Sequence, residues 1–97
     1  MKVVIRREAE RDLADILEWI EKDNPPAARK LVARIRDRIG LLELNALARM
    51  GRAGVVPGTL ELIEYPYIVV YRVREDLEEI EILAIVHGAR DRNLKDE

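Results

Sequence analysis

The sequence predicts an α+β fold: a two-helix antiparallel hairpin packed on a twisted antiparallel β-sheet, in the order β-α-α-β-β-β. Three observations carry this. Residues 8–44 hold apolar side chains at helical spacing, interrupted once by a proline pair. Residues 59–86 hold three short runs rich in β-branched residues and bounded by turn residues. A short apolar run precedes both. Each layer needs an apolar partner to bury against, which puts the helices on one face of the sheet.

Lys2 to Arg6 (KVVIR) reads as a strand too short to stand alone. From Glu8 to Lys22 the positions Ala9, Leu13, Ile16 and Ile20 fall on one helical face, with Leu17 and Trp19 off that stripe. Asp23-Asn24-Pro25-Pro26 ends this helix, because the residue before a proline is pushed out of the α region. The same residues start the next helix, with Asn24 as cap and proline in the first turn. Ala28, Leu31, Val32, Ile35, Ile39 and Leu42 continue the periodicity to about Leu44. Gly51, Gly54, Pro57 and Gly58 then mark a loop.

Strands follow at Thr59–Glu64, Tyr67–Arg74 and Glu78–Val86, joined closely enough to form an antiparallel meander. In the middle strand Tyr67, Val69, Tyr71 and Val73 share one face, and Ile68, Val70 and Arg72 the other. In the last strand Ile80, Ile82, Ala84 and Val86 are expected to face the core. The first strand is expected at an edge, beside the first or last strand of the meander. The second sheet face is left uncovered, and an unpaired edge invites another chain.

The 97 residues suit one domain, taken as 1–92 with a polar tail at 93–97. There is no cysteine and one histidine, so neither a disulfide framework nor a metal site is expected, and no cofactor is implied. No apolar run reaches membrane-spanning length, and a cytoplasmic location is the expectation. The net charge of −2 argues against sequence-specific nucleic-acid binding, which draws on a basic surface. Charge is unevenly spread: residues 8–23 carry seven acids against Arg11 and Lys22, and residues 27–43 carry five bases against Asp37 and Glu43. Adjacent helices of opposite sign would attract each other, or each would simply meet water.

Four stretches resemble the RelE/ParE family of type II toxin–antitoxin toxins, also called plasmid stabilisation proteins. They are AERDLADILEWIEKDNPPAA (Ala9 to Ala28), GRAGVVPGT (Gly51 to Thr59) with Glu61-Leu62 after it, YIVVYRV (Tyr67 to Val73) and EILAIVHGAR (Glu81 to Arg90). The turn at Asp23-Asn24-Pro25, the Gly58-Thr59-Leu60-Glu61-Leu62 element and the His87-to-Arg90 ending look most like the ParE branch. The resemblance implies a toxin that inhibits DNA gyrase and is neutralised by a ParD-like antitoxin. The alternatives are a RelE-like ribosome-dependent, metal-independent mRNA endonuclease and an inactive relative that keeps antitoxin binding. Leu60 and Ala84 stand where many relatives carry arginine, which favours neither activity.

RNA cleavage without a metal needs a base, an acid and cations for the developing phosphorane charge. The candidates for those roles are Tyr71, Arg72, His87 and Arg90. A target-binding surface would draw on Arg74, His87, Arg90 and Arg92. For the antitoxin, the apolar positions that the core stripes do not use are Leu17, Trp19, Leu41, Leu44, Leu47 and Met50. Arg34, Arg38, Arg49 and Arg52 would add charge complementary to an acidic antitoxin segment. A lone histidine at a strand end is more often structural, and Arg72 and Arg90 serve equally as ion-pair partners of Glu64 or Glu81.

Overall fold

Strand β4 (Tyr67–Arg74) lies at the centre of a five-stranded sheet ordered β1-β5-β4-β3-β2, with β1 at Lys2–Ile5, β2 at Arg52–Ala53, β3 at Leu60–Glu64 and β5 at Glu79–His87. The computed structural model describes residues 1–88, so the expectations placed on Arg90, Arg92 and the tail lie outside the described residues. Helix α1 (Arg7–Glu21) and helix α2 (Pro25–Leu41) form the hairpin, and a single 3-10 turn follows at Asn45–Leu47. Among the described residues no helix is long and apolar enough to cross a membrane.

The turn between the helices forms as its residues require. The Asp23 and Asn24 N–H groups both donate to the Ile20 carbonyl, closing α1. The Asn24 side chain accepts from the Ala27 N–H at 3.1 Å, and prolines fill the first turn of α2, where no N–H is needed. Replacing Asn24 with alanine should cost about 1 kcal/mol, the usual worth of an N-cap, read as a lower midpoint in urea unfolding. Helix α2 ends at Leu41, three residues earlier than its apolar periodicity suggests; Leu42 stays fully buried but continues the chain as a turn.

The core lies between the hairpin and one sheet face. Leu13 and Ile16 of α1 and Leu31, Ile35 and Ile39 of α2 meet Leu62, Val69, Tyr71, Ile80 and Ile82. Tyr67 and Val73 join this cluster at its margin, as the alternation in β4 predicts. The apolar stripes of both helices are thus spent on the sheet.

Besides the added two-residue edge strand β2, which lies inside the expected loop and pairs with β3, two details of the sheet differ from the expectation. The strand β1 does sit at an edge, beside β5, but it runs parallel to it (Lys2 with Glu79 through Ile5 with Ile82), so the sheet is mixed. Only Arg6 separates β1 from α1, and its N–H still donates to the Ile82 carbonyl at 3.0 Å before the chain turns back over the sheet. The second difference is a bulge. Val70 pairs with Ala84, but Tyr71 pairs with Ile82, so Leu83 has no counterpart on β4. Beyond it the alternation is shifted by one residue, and Ile85 rather than Ala84 or Val86 enters the core.

The turn from β4 to β5 holds Glu78 at φ 52°, a left-handed conformation that a side chain disfavours. Glu78→Gly should therefore raise stability by about 0.5–1 kcal/mol, less the entropy glycine adds to the unfolded chain, measured as a higher unfolding midpoint.

Candidate functional site

Three surfaces collect the polar and exposed apolar residues. The first lies on the sheet face away from the helices, around Glu81. This residue is fully buried in β5, yet it is charged. Its carboxylate is met by Arg72 across the strand pair, by Arg6 from the end of β1, and by Arg74 at 3.7 Å. Arg74 also makes a two-pronged contact with Asp76, at 3.2 and 3.3 Å. That contact holds the Asp76 carboxyl below its ordinary value and the Arg74 guanidinium above its own. Its contribution is therefore present above the ordinary carboxylate range and fades as the pH falls below it. The cluster ties β1, β4 and β5 together, and its arginines are largely committed to acids.

The second surface is the Gly51–Thr59 loop. The buried Glu61 carboxylate accepts from the Val55 N–H at 3.1 Å and faces Arg52 at 3.5 Å, so it pins the loop to β3. From the core side the Gly51 N–H donates to the Tyr71 hydroxyl at 3.0 Å. A side chain at Gly51 would lie 2.8 Å from the Glu61 carbonyl oxygen and 2.9 Å from that hydroxyl, so only glycine fits.

The third surface is a cleft between α1 and the end of β5. Because β1 stops opposite Ile82, the rest of β5 has no strand beside it on that side. There α1 approaches instead, and Asp12 accepts the Ile85 N–H at 2.9 Å. The resulting cavity of about 470 Å³ is bounded by Asp15, Ile16, Trp19 and Ile20 on α1 and by Tyr67, Val86 and His87 on the sheet. The His87 ring stands edge-on to Tyr67, with centroids 5.4 Å apart. Trp19 is 68% exposed, and the Lys22 ammonium lies 5.5 Å from the centre of its ring.

The residues expected to meet an antitoxin fall on two patches. Trp19 borders the cleft just described. Leu41 is exposed on α2, in a shallow groove with Arg34, Asp37, Arg38 and Glu64. Leu44 and Met50 are exposed and Leu17 and Leu47 half-buried, so none of the six apolar positions is fully buried. The basic set is less free than the sequence suggests. Arg34 and Arg38 share Glu64, at 3.2 and 3.6 Å, Arg49 pairs with Glu75, and Arg52 faces Glu61. These acids come from strands and turns distant in sequence, which the local charge runs do not reveal. Between the two helices the described ion pair is Arg36 with Glu10, at 2.9 Å.

The described nuclease candidates do not converge. Tyr71 is fully buried on the helix side of β4, where burial raises its hydroxyl pKa above the ordinary value. Arg72 projects from the opposite face toward Glu81. His87 pairs with Tyr67, five positions along β4 from Arg72, or about 17 Å at the rise of a strand. An acid, a base and a cation acting on one phosphate need to lie within hydrogen-bond reach of it. Among the described residues no three His, Cys, Asp or Glu side chains gather closely enough to hold a metal ion. Leu60 packs against the core, and Ala84 pairs with Val70 on the other side of β4.

Sequence reasoning did not single out Glu81 and Glu61 as buried acids. The available signal was an acid alternating with isoleucine in Glu79-Ile80-Glu81-Ile82, inside a strand flanked on both sides.

Comparison with known proteins places this architecture. Residues 3–92 match the family described as ParE toxin of type II toxin–antitoxin system, parDE. The protein Y4kP of Sinorhizobium fredii (strain NBRC 101917 / NGR234), provisionally named a toxin, is 41% identical over 81 residues, covering 80% of this chain and 78% of its own. Among solved structures, a chain of the chromosomal ParDE system from P. aeruginosa superposes with a TM-score of 0.78 at 30% identity, over 90% of this chain and 95% of its own. A chain of the RelBE2 toxin–antitoxin complex from Mycobacterium tuberculosis superposes with a TM-score of 0.64 at 22% identity, over 89% of this chain and 95% of its own; at that identity the likeness concerns the fold.

Proposed function

Since the chain belongs to the ParE toxin family of type II toxin–antitoxin systems, we propose that it acts by binding: it inhibits DNA gyrase and is silenced by a ParD-like antitoxin. The observation that carries binding over catalysis is the separation of Tyr71, Arg72 and His87 onto two faces and along the strand. A toxin that works as a wedge or clamp on another protein needs no such convergence.

In this reading the antitoxin covers the exposed apolar positions of the hairpin and the segment after it: Trp19 and Leu17 at one end, Leu41, Leu44, Leu47 and Met50 at the other. Arg34, Arg38, Arg49 and Arg52 border the second patch and guide approach rather than supply most of the affinity, because each already faces an acid. The target surface includes Arg74 and His87, with Arg90 and Arg92 beyond them in sequence.

The test is a supercoiling assay with purified gyrase, relaxed plasmid and the purified chain. Loss of supercoiling that returns when the operon's antitoxin is added supports the reading; full supercoiling at saturating toxin contradicts it. Leu41→Asp together with Leu44→Asp should weaken antitoxin binding at least about tenfold while sparing the fold, since both side chains are exposed.

A further inference from the structure

The cleft between α1 and β5 has a chemistry distinct from the apolar groove on α2. Asp15 and Trp19 stand one helical turn apart, so a carboxylate and an indole ring are presented side by side. The Tyr67 and His87 rings form the opposite wall, and Ile16 and Ile85 the apolar floor. Among the described residues that line the cleft there is no lysine or arginine. Asp15 makes no ion pair with another described residue, whereas each basic candidate on the other patch already faces an acid. The Trp19 ring already draws the ammonium of Lys22, the residue that caps the end of α1.

A flat cation that pairs with a carboxylate while stacking on an indole is a guanidinium. The cavity, about 470 Å³, is large enough for an arginine side chain entering from solvent. We infer that this cleft seats an arginine side chain of the antitoxin, its guanidinium between Asp15 and Trp19 and its methylenes over Ile16 and Ile85. The inference rests on the antitoxin reading for the source of the arginine and on the cleft for its chemistry. It assigns opposite charge preferences to the two ends of the hairpin: a basic residue here, an acidic one near Arg34 and Arg38.

Trp19 is the single tryptophan, so its fluorescence reports on the cleft directly. The purified chain would be titrated with N-acetyl-arginine amide and with N-acetyl-citrulline amide, which has nearly the same shape but no charge. A saturable response is expected for the arginine probe, at least about fivefold weaker for citrulline, and at least about fivefold weaker for arginine in Asp15→Asn. Asp15 is exposed, so this substitution is not expected to disturb the fold. Equal responses to both probes, or an undiminished response in Asp15→Asn, overturn the inference. Titration with the operon's antitoxin separates it from the reading beneath it. If the antitoxin binds normally and ignores Asp15→Asn, the cleft assignment fails and the antitoxin reading stands. If the arginine preference is intact but no antitoxin binds, the antitoxin is removed as the source and the inference falls with that reading.

Discussion

Replacing Glu81 with glutamine should lower the stability of the domain by about 2–3 kcal/mol. Breaking a buried ion pair by removing one partner costs about 3–5 kcal/mol, and the half-exposed Arg6, Arg72 and Arg74 can recover part of that from water. A loss of this size in a domain of this length lowers the thermal midpoint by about 10–20 °C. The reverse experiment is more telling. Replacing all three arginines with alanine leaves a fully buried carboxylate without a counter-charge, so the triple variant should be less stable than Glu81→Gln. Adding Glu81→Gln to the triple variant should then restore stability. If the two changes were simply additive, the cluster would not act as a unit. Any single arginine variant should cost about 1 kcal/mol or less, because each is a partly exposed partner.

Tyr71 carries the second large effect. Tyr71→Ala empties a fully buried aromatic site at the centre of the core and should cost about 3–5 kcal/mol, enough to leave much of the population unfolded. Tyr71→Phe keeps the ring and removes only the acceptor of the Gly51 N–H, for about 1–2 kcal/mol. The phenylalanine variant should therefore remain toxic, whereas a nuclease using this hydroxyl would lose activity. The hydroxyl also fixes a pH limit. Its pKa is raised chiefly by burial, so the folded state holds the proton more tightly than the unfolded state. Its contribution is complete below the ordinary tyrosine value of about 10 and is lost as the pH rises toward the folded-state value. Thermal midpoints measured across that range should fall more steeply for the wild type than for Tyr71→Phe.

Much of the fold was legible because its signals are local. The Asn24-Pro25-Pro26 turn, the stripes of both helices and the alternation in β4 each depend on near neighbours in sequence. The direction of β1 was not legible, since it depends on how the chain re-enters the sheet after a single linking residue. Nor was the phase of β5 beyond Leu83: a bulge adds one residue to one strand and leaves no compositional mark. For the site, the exposed apolar residues could be chosen by elimination from the core stripes. The pairing of Arg72 with Glu81 was among the readings the sequence offered, but the partners of Arg34, Arg38 and Arg49 were not, because Glu64 and Glu75 reach them only through tertiary structure. The separation of Tyr71 from Arg72 was implicit in the alternation of β4. Their distance from His87 required the register of β5.

The measurement that addresses the central claim most directly is inducible expression in bacteria, with mRNA 5′ ends and gyrase-linked DNA breaks mapped from the same cultures before and after arrest. A toxin that acts by binding gyrase should stop growth with DNA breaks accumulating and messages intact, and co-expressed antitoxin should restore growth. New 5′ ends within translated messages, appearing before any DNA damage, would contradict that account and return Arg72, His87 and Arg90 to the centre of the mechanism.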